Sequence, residues 1–240
     1  MNGRSGTPPE RPRRLYGRRR GRPLRAGQRE LFEEILPRLR IALPPDRAPL
    51  DPRSPFAPAP AAFALEIGFG GGEHLAAQAA AHPETGFIGC EVFENGIAKL
   101  LVEIERRRLA NVRIFPDDAR LLLAALPAEC LDRVFVLFPD PWPKARHQKR
   151  RLVSAETLDR LAVLMRDGAE LRLATDDSDY LSWMLERTTA PPEFEWLARR
   201  ADDWRRRPED WPATRYEAKA IAAGRRPAFL RFRRRERAAV

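Results

Sequence analysis

The sequence predicts an α/β domain built on a doubly wound, mostly parallel sheet, and three observations carry that prediction. Short apolar runs of strand character alternate with stretches of helical spacing from Phe63 to Thr175. The first run is followed by glycines and then by an alanine-rich helical stretch, the order in which backbone N–H groups and a helix N-terminus meet a nucleotide-like ligand. Carboxylates stand directly after several runs, at the strand ends where open α/β sheets handle ligands.

Taken in order, the chain opens on a segment, 1–27, with nine arginines and one glutamate in its first 25 positions. Such a segment buries too little apolar surface to fold alone, so a disordered basic arm is expected. Leu31, Ile35, Leu36 and Leu39 recur at helical spacing and predict one amphipathic helix from Gln28 to Leu39. Seven prolines between Pro44 and Pro60 predict an extended linker, which makes 28–62 a helix and linker ahead of a main domain, 63–240.

FALEIGF at 63–69 predicts the first strand, and Gly68, Gly70, Gly71 and Gly72 lead from it into a helix, His74–Ala81. GFIGCEV predicts a second strand with Glu91 placed 19 residues after Gly72, a spacing that suits a carboxylate accepting hydrogen bonds from ribose hydroxyls. A helix over Asn95–Arg108 and a strand over Val112–Phe115 reach the acidic turn Asp117-Asp118. Later come a helix, Ala155–Met165, and a strand, Glu170–Ala174, that ends in Thr175-Asp176-Asp177. The loop pattern is Gly68-x-Gly70-x-Gly72 and not the G-x-G-x-x-G of dinucleotide enzymes. Glu66 stands so close to it that a pyrophosphate would be repelled. A ligand with a sulfonium and an amino group and no phosphate fits better, which points to S-adenosylmethionine.

Residues 131–151, LDRVFVLFPDPWPKARHQKRR, hold the densest chemistry. Leu131–Phe138, charged only at Asp132 and Arg133, is otherwise apolar and rich in β-branched and aromatic residues, as a buried parallel strand requires. Pro139 and Pro141 then fix Asp140 in a rigid turn, because proline restricts both itself and its predecessor. Trp142, Lys144, Arg146, His147, Lys149, Arg150 and Arg151 follow at once. A turn aspartate and a solvated basic face would each be ordinary alone. Their packing into thirteen residues behind a core strand favours a site acting on a nucleic-acid base. Trp142 stacks on that base or is pinned against the core; the sequence allows both.

Composition agrees with a polyanionic partner. Formal net charge is +10, and only four of the 44 basic residues are lysines. Coding bias accounts for arginine in place of lysine but not for the excess over acids. No run approaches the ~18 apolar residues of a membrane span, and the arginine-rich start has no apolar core of a secretory signal. Cys90 and Cys130 have neither metal-ligand nor disulfide-framework spacing, so a reducing cytoplasm is expected, with no metal and no obligatory protein partner.

These residues resemble the bacterial tRNA (guanine-N7)-methyltransferases over roughly residues 16–235. The resemblance is carried by LEIGFGGGEH at 65–74, GCEVFENGI at 89–97, FPDPWPKARHQKRR at 138–151, ATDD at 174–177 and TRYEAK at 214–219. The chain departs from the family at Gly71-Gly72, where a methionine often separates glycines, and at Ala220, where a glycine often stands. The resemblance implies a class I methyltransferase (Rossmann-like) fold with a mostly parallel seven-stranded sheet and helices on both faces. It implies S-adenosylmethionine as donor and the variable-loop guanosine of tRNA, position 46, as acceptor. Glu66, Gly68, Gly70, Glu91 and Asp118 are then cofactor residues, and Asp140 is the active-site residue that also borders the cofactor. Lys144, Arg146, His147, Lys149, Arg150, Arg151, Asp176, Thr214, Arg215, Tyr216 and Glu217 become substrate residues.

Guanine N7 has a free lone pair and no proton, so positioning and nearby carboxylates would suffice for catalysis. Two other functions stand beside this one. Methylation of an exocyclic base amine uses a related Asp-Pro-Pro-Tyr-like loop, and a degenerate methyltransferase fold can serve as a non-catalytic RNA-binding module.

Overall fold

The computed structural model describes residues 17–45 and 48–238. Residues 1–16 of the expected arm lie outside the described residues. Two short helices, α1 (Ala26–Glu34) and α2 (Leu36–Leu39), come first. The one helix expected over Gln28–Leu39 is therefore two. Pro37 has no N–H to donate and its ring collides with the carbonyl one turn back, so the helix breaks at Ile35.

The core then alternates as β1 (Ala62–Ile67), α3 (Glu73–Ala81), β2 (Thr85–Cys90), α4 (Glu94–Arg107), β3 (Val112–Phe115), α5 (Ala119–Ala125) and β4 (Leu131–Leu137). A 3₁₀ turn over Ala145–Arg150 precedes α6 (Ala155–Leu164), β5 (Met165–Thr175) and α7 (Ser178–Thr189). The chain closes with β6 (Phe194–Trp196), α8 (Asp202–Arg205), α9 (Arg215–Ala222) and β7 (Ala228–Arg234).

The seven strands form one sheet in the order β3-β2-β1-β4-β5-β7-β6. The first five are parallel, and β7 runs antiparallel to both β5 and β6. Side chains alternate between the faces at the two-residue period of a strand. Phe63, Leu65 and Ile67 of β1 point into a core with Leu122, Leu158 and Tyr180 of α5, α6 and α7. Ala64 belongs instead to the opposite core, with Leu75 of α3 and Ile97, Leu100 and Leu101 of α4. A strand covered on both faces has no polar side to show, which is why the runs read as continuously apolar.

Residues of the expected N-terminal helix and linker pack on both cores of the sheet. Leu36 packs into the α3–α4 core, while Ile41, Leu50 and Phe56 join the other. The Leu50 N–H donates to the Ala125 carbonyl, and the Phe56 ring meets Phe63 edge-on at 5.8 Å. The end of the basic arm is likewise tied down. Glu94 N–H donates to the Arg19 carbonyl at 2.9 Å, and Asn95 both accepts from Gly21 N–H and donates to the Arg22 carbonyl. Residues 17–22 thus cross the N-terminus of α4, where a disordered arm was expected. Arginine-rich chain can order here because α4 offers Glu94 and Asn95 as partners. No helix among the described residues is long and apolar enough to cross a membrane.

Candidate active site

The strand order brings the predicted acidic residues into one row along the carboxyl edge of the sheet. Asp118 stands beyond β3, Glu91 beyond β2, the glycine loop beyond β1, Asp140 beyond β4 and Asp176 beyond β5. The loop makes its turns with Gly68, Gly70 and Gly72 at φ of 74°, 56° and 77°, the left-handed region that side chains disfavour. Space is open where a β-carbon on Gly68 would stand.

Glu91 ties that loop to α4. Its Oε2 accepts from Gly70 N–H at 2.8 Å, and its Oε1 accepts from Val92 and Phe93 N–H at 2.7 and 3.0 Å. Burial raises the pKa of this carboxyl above the ordinary range; the three N–H groups oppose the shift and the field of Asp140 adds to it. Oε1 thus has both lone pairs engaged, while Oε2, with one bond made, keeps acceptor capacity for a hydroxyl group. Asp118 caps α5, accepting from Arg120 N–H, and pairs with the Arg120 guanidinium. Its neighbour Asp117 pairs with Arg19 of the docked arm. A glycine loop with open space, a carboxylate with acceptor capacity at Glu91 and a second carboxylate at Asp118 fit an adenosyl ligand that carries no phosphate.

Glu66 lies on β1, just ahead of the glycine loop. It is buried and its Oε2 lies 2.7 Å from Nδ1 of His74, which is equally buried between Phe135 and Trp211. Its carboxylate thus links β1 to α3 inside the protein, beside the glycine loop. The Gly96 contribution was missed. A β-carbon there would fall 2.2 Å from the Gly70 carbonyl oxygen, so only glycine lets α4 press on the loop. A glycine early in a helical run was its only signal.

Asp140 is exposed between Phe138 and Trp142, whose φ values of 52° and 45° are left-handed without being glycine. Trp142 is engaged by its own loop, with His147 edge-on at 6.0 Å and the Arg150 guanidinium 4.9 Å over the ring. Lys144, Arg146 and Lys149 are exposed. His147 is held below its ordinary pKa by desolvation and by the field of Arg150, Arg146, Lys144 and Lys149. Arg151 faces inward instead. It is 3% exposed, donates to the Pro141 carbonyl at 2.8 Å, pairs with Asp179, and lies against the Tyr180 and Trp183 rings. It anchors the loop to α7, because the 3₁₀ turn rotates it inward while its neighbours face out.

The remaining predicted substrate residues arrive from the far end of the chain. Thr214 caps α9 by accepting from Glu217 N–H. Tyr216 lies over Gly70, and Arg215 reaches Glu73 at 3.8 Å, so α9 folds across the glycine loop. Glu217 is buried and pairs with Arg207 at 3.0 Å. Asp176 pairs with Arg225 at 2.5 Å, whereas its neighbour Asp177 caps α7 through Tyr180 N–H. Neither Arg207 nor Arg225 was foreseen, since one meets its partner ten positions on and the other 49 positions back, and neither spacing leaves a local pattern.

Comparison with known proteins places this edge in context. Residues 60–230 match a family model described as "Putative methyltransferase". A Rhodospirillum rubrum protein named tRNA (guanine-N(7)-)-methyltransferase is 53% identical over 236 residues, spanning 96% of this chain and 92% of that protein. One of the same name from Paramagnetospirillum magneticum is 52% identical, spanning 95% of each. The solved 16S rRNA methyltransferase KamB superposes with a TM-score of 0.56 at 16% identity over 77% of this chain and 91% of that one, a likeness of fold. The fold is therefore that of a class I, S-adenosylmethionine-dependent methyltransferase, and the chain belongs to the tRNA (guanine-N(7)-)-methyltransferase family.

Proposed function

We propose that this protein methylates N7 of a guanosine in tRNA, at the variable-loop position 46, and does so in the cytoplasm. The observation that carries the reading is the single row of carboxylates, cofactor side at Asp118 and Glu91, base side at Asp140 and Asp176. The names of relatives about half identical in sequence support the same substrate.

S-adenosylmethionine, when bound, supplies a methyl group activated by a sulfonium. Gly68 leaves room for it, Gly70 shapes the loop beside it, and Glu91 and Asp118 are its hydrogen-bond acceptors. Asp140 and Asp176 accept from N1–H and the exocyclic amine of guanine, orienting N7 toward the methyl carbon. N7 carries no proton, so none of these groups acts as a base. As the bond forms, the purine becomes cationic, and the same two carboxylates stabilise that charge. Thr214 and Tyr216 border this space from α9. Lys144, Arg146, Lys149 and Arg150 hold phosphates, with His147 among them.

The test is incubation of unmodified tRNA with labelled S-adenosylmethionine, followed by nucleoside mapping. Label in 7-methylguanosine at position 46 is expected. Label on an exocyclic amine, or none, would overturn the reading.

A further inference from the structure

Two carboxylates of the candidate site, Asp176 and Glu217, are already held by arginines, and the two pairs differ in kind. Glu217 is 8% exposed, and Arg207 donates to the Trp211 carbonyl as well, so that pair is part of the fold. The Arg225 and Asp176 side chains are 52% and 25% exposed. Arg225 Nε donates to Asp176 Oδ2 at 2.5 Å, and its side chain makes no other hydrogen bond among the described residues. Its backbone, however, is fixed. Arg225 N–H donates to the Ala220 carbonyl after the left-handed turn at Gly224, and Ala228 pairs with Thr175 three residues on. The frame delivers the guanidinium to Asp176, but solvent reaches the ion pair and little holds it shut.

We propose that Arg225 is a resident stand-in for the substrate base, occupying Asp176 until the donor edge of a guanine displaces it. The inference rests on the reading that Asp176 receives that edge. Guanidinium and the N1–H/N2–H edge of guanine share a chemistry: adjacent N–H donors on a planar conjugated frame, suited to one carboxylate. A base with an acceptor at that edge gives the carboxylate nothing in exchange for the arginine, so Arg225 sharpens selection for guanine. Methylation at N7 makes the purine cationic. The product then resembles the guanidinium more closely than the substrate does, and the returning Arg225 competes with it for Asp176 and speeds its release.

Free guanosine and free 7-methylguanosine carry no phosphate, so they report on the base site alone. Their inhibition of tRNA methylation is measured in the full-length wild type, Arg225→Ala, Arg225→Lys and Asp176→Asn. For Arg225→Ala, both nucleosides should inhibit more strongly by a common factor of up to about fivefold, the size of one exposed ion pair, because each must displace the same arginine. Arg225→Lys keeps the charge without the fork and should fall between. Unchanged or weaker inhibition in Arg225→Ala, with Asp176→Asn still weakening it, overturns the stand-in and leaves the base site intact. Unchanged inhibition in Asp176→Asn removes Asp176 from the base site, and the inference falls with that reading. A flatter salt dependence of tRNA binding in Arg225→Ala, with no gain for the nucleosides, makes Arg225 a phosphate contact and also overturns it.

Discussion

Tyr216 of α9 lies across Gly70 of the glycine loop, its Cε2 2.8 Å from the point where a β-carbon on that glycine would stand. The contact joins residues 146 positions apart and seats the substrate-side helix on the cofactor loop. Gly70→Ala should therefore cost twice, through the left-handed φ of 56° and through displacement of the ring. A stability loss of about 1–2 kcal/mol and a roughly tenfold weaker cofactor affinity are expected. Melting and calorimetric titration check this against Gly70→Ala/Tyr216→Ala. With the ring gone, the penalty should shrink to the backbone part, and a double variant no more stable than the single would exclude the contact as the cause.

Glu91 supplies the second prediction. Desolvation is the largest influence on it and sets its pKa above the ordinary 4.5. A carboxyl whose pKa is higher folded than unfolded binds its proton better in the folded state. Its favourable contribution is therefore complete below the unfolded value and is lost as pH rises through the folded one. Glu91→Gln cannot titrate. The wild type should thus gain melting temperature relative to the variant as pH is lowered from about 8 toward 4.5. Its affinity for S-adenosylmethionine should exceed that of the variant by about 1–3 kcal/mol at neutral pH, and this advantage should shrink on acidification. Parallel pH dependence of the two proteins would show that Glu91 is not the titrating group.

Sequence alone exposed the groups whose environment is local. Glu91 and Asp118 follow strands, Asp140 sits between prolines, and the left-handed turns at Gly68 and Gly70 advertise themselves as glycine. What stayed hidden depends on partners distant in the chain. Glu66 reads as a strand carboxylate beside the glycine loop, and nothing local announces its buried partner His74. Arg151 reads as one more cation until the 3₁₀ turn carries it under Trp183. Residues 17–22 read as disordered because composition counts only the apolar surface a segment brings, whereas Glu94, Asn95 and Asp117 supply the partners.

The basic loop should accordingly divide in two under mutation. Arg146→Ala and Lys149→Ala should each lower the slope of tRNA affinity against salt by about one, with little effect on melting. Arg151→Ala should leave the slope alone and destabilise the fold by about 2–4 kcal/mol, since it removes packing against two rings and strands the Pro141 carbonyl. Asp179 is exposed, so the ion pair itself adds little to that figure. Filter binding at several salt concentrations, with thermal melts, separates the two classes. A salt slope lowered by Arg151→Ala would return it to the RNA-binding surface.

The last prediction concerns Asp140. Asn keeps the shape of the side chain in its strained turn and one acceptor oxygen, but removes the charge. If Asp140 faces the base, the loss should fall on the chemical step, because the purine is fully cationic only as the methyl transfers. Single-turnover methylation should slow about a hundredfold, the cost of one preorganised electrostatic contact, while tRNA binding survives on its phosphate contacts. The wild-type rate should stay flat between about pH 6 and 9, as N7 has no proton to lose. A second consequence follows from the field that Asp140 exerts on Glu91. Without that charge Glu91 ionises more readily, so the acid limb of cofactor binding should move to lower pH in Asp140→Asn. Rapid-quench methylation and cofactor titration across pH measure the two effects on one protein. An unaltered methylation rate would make Asp140 a turn residue, and an unmoved acid limb would separate it from Glu91.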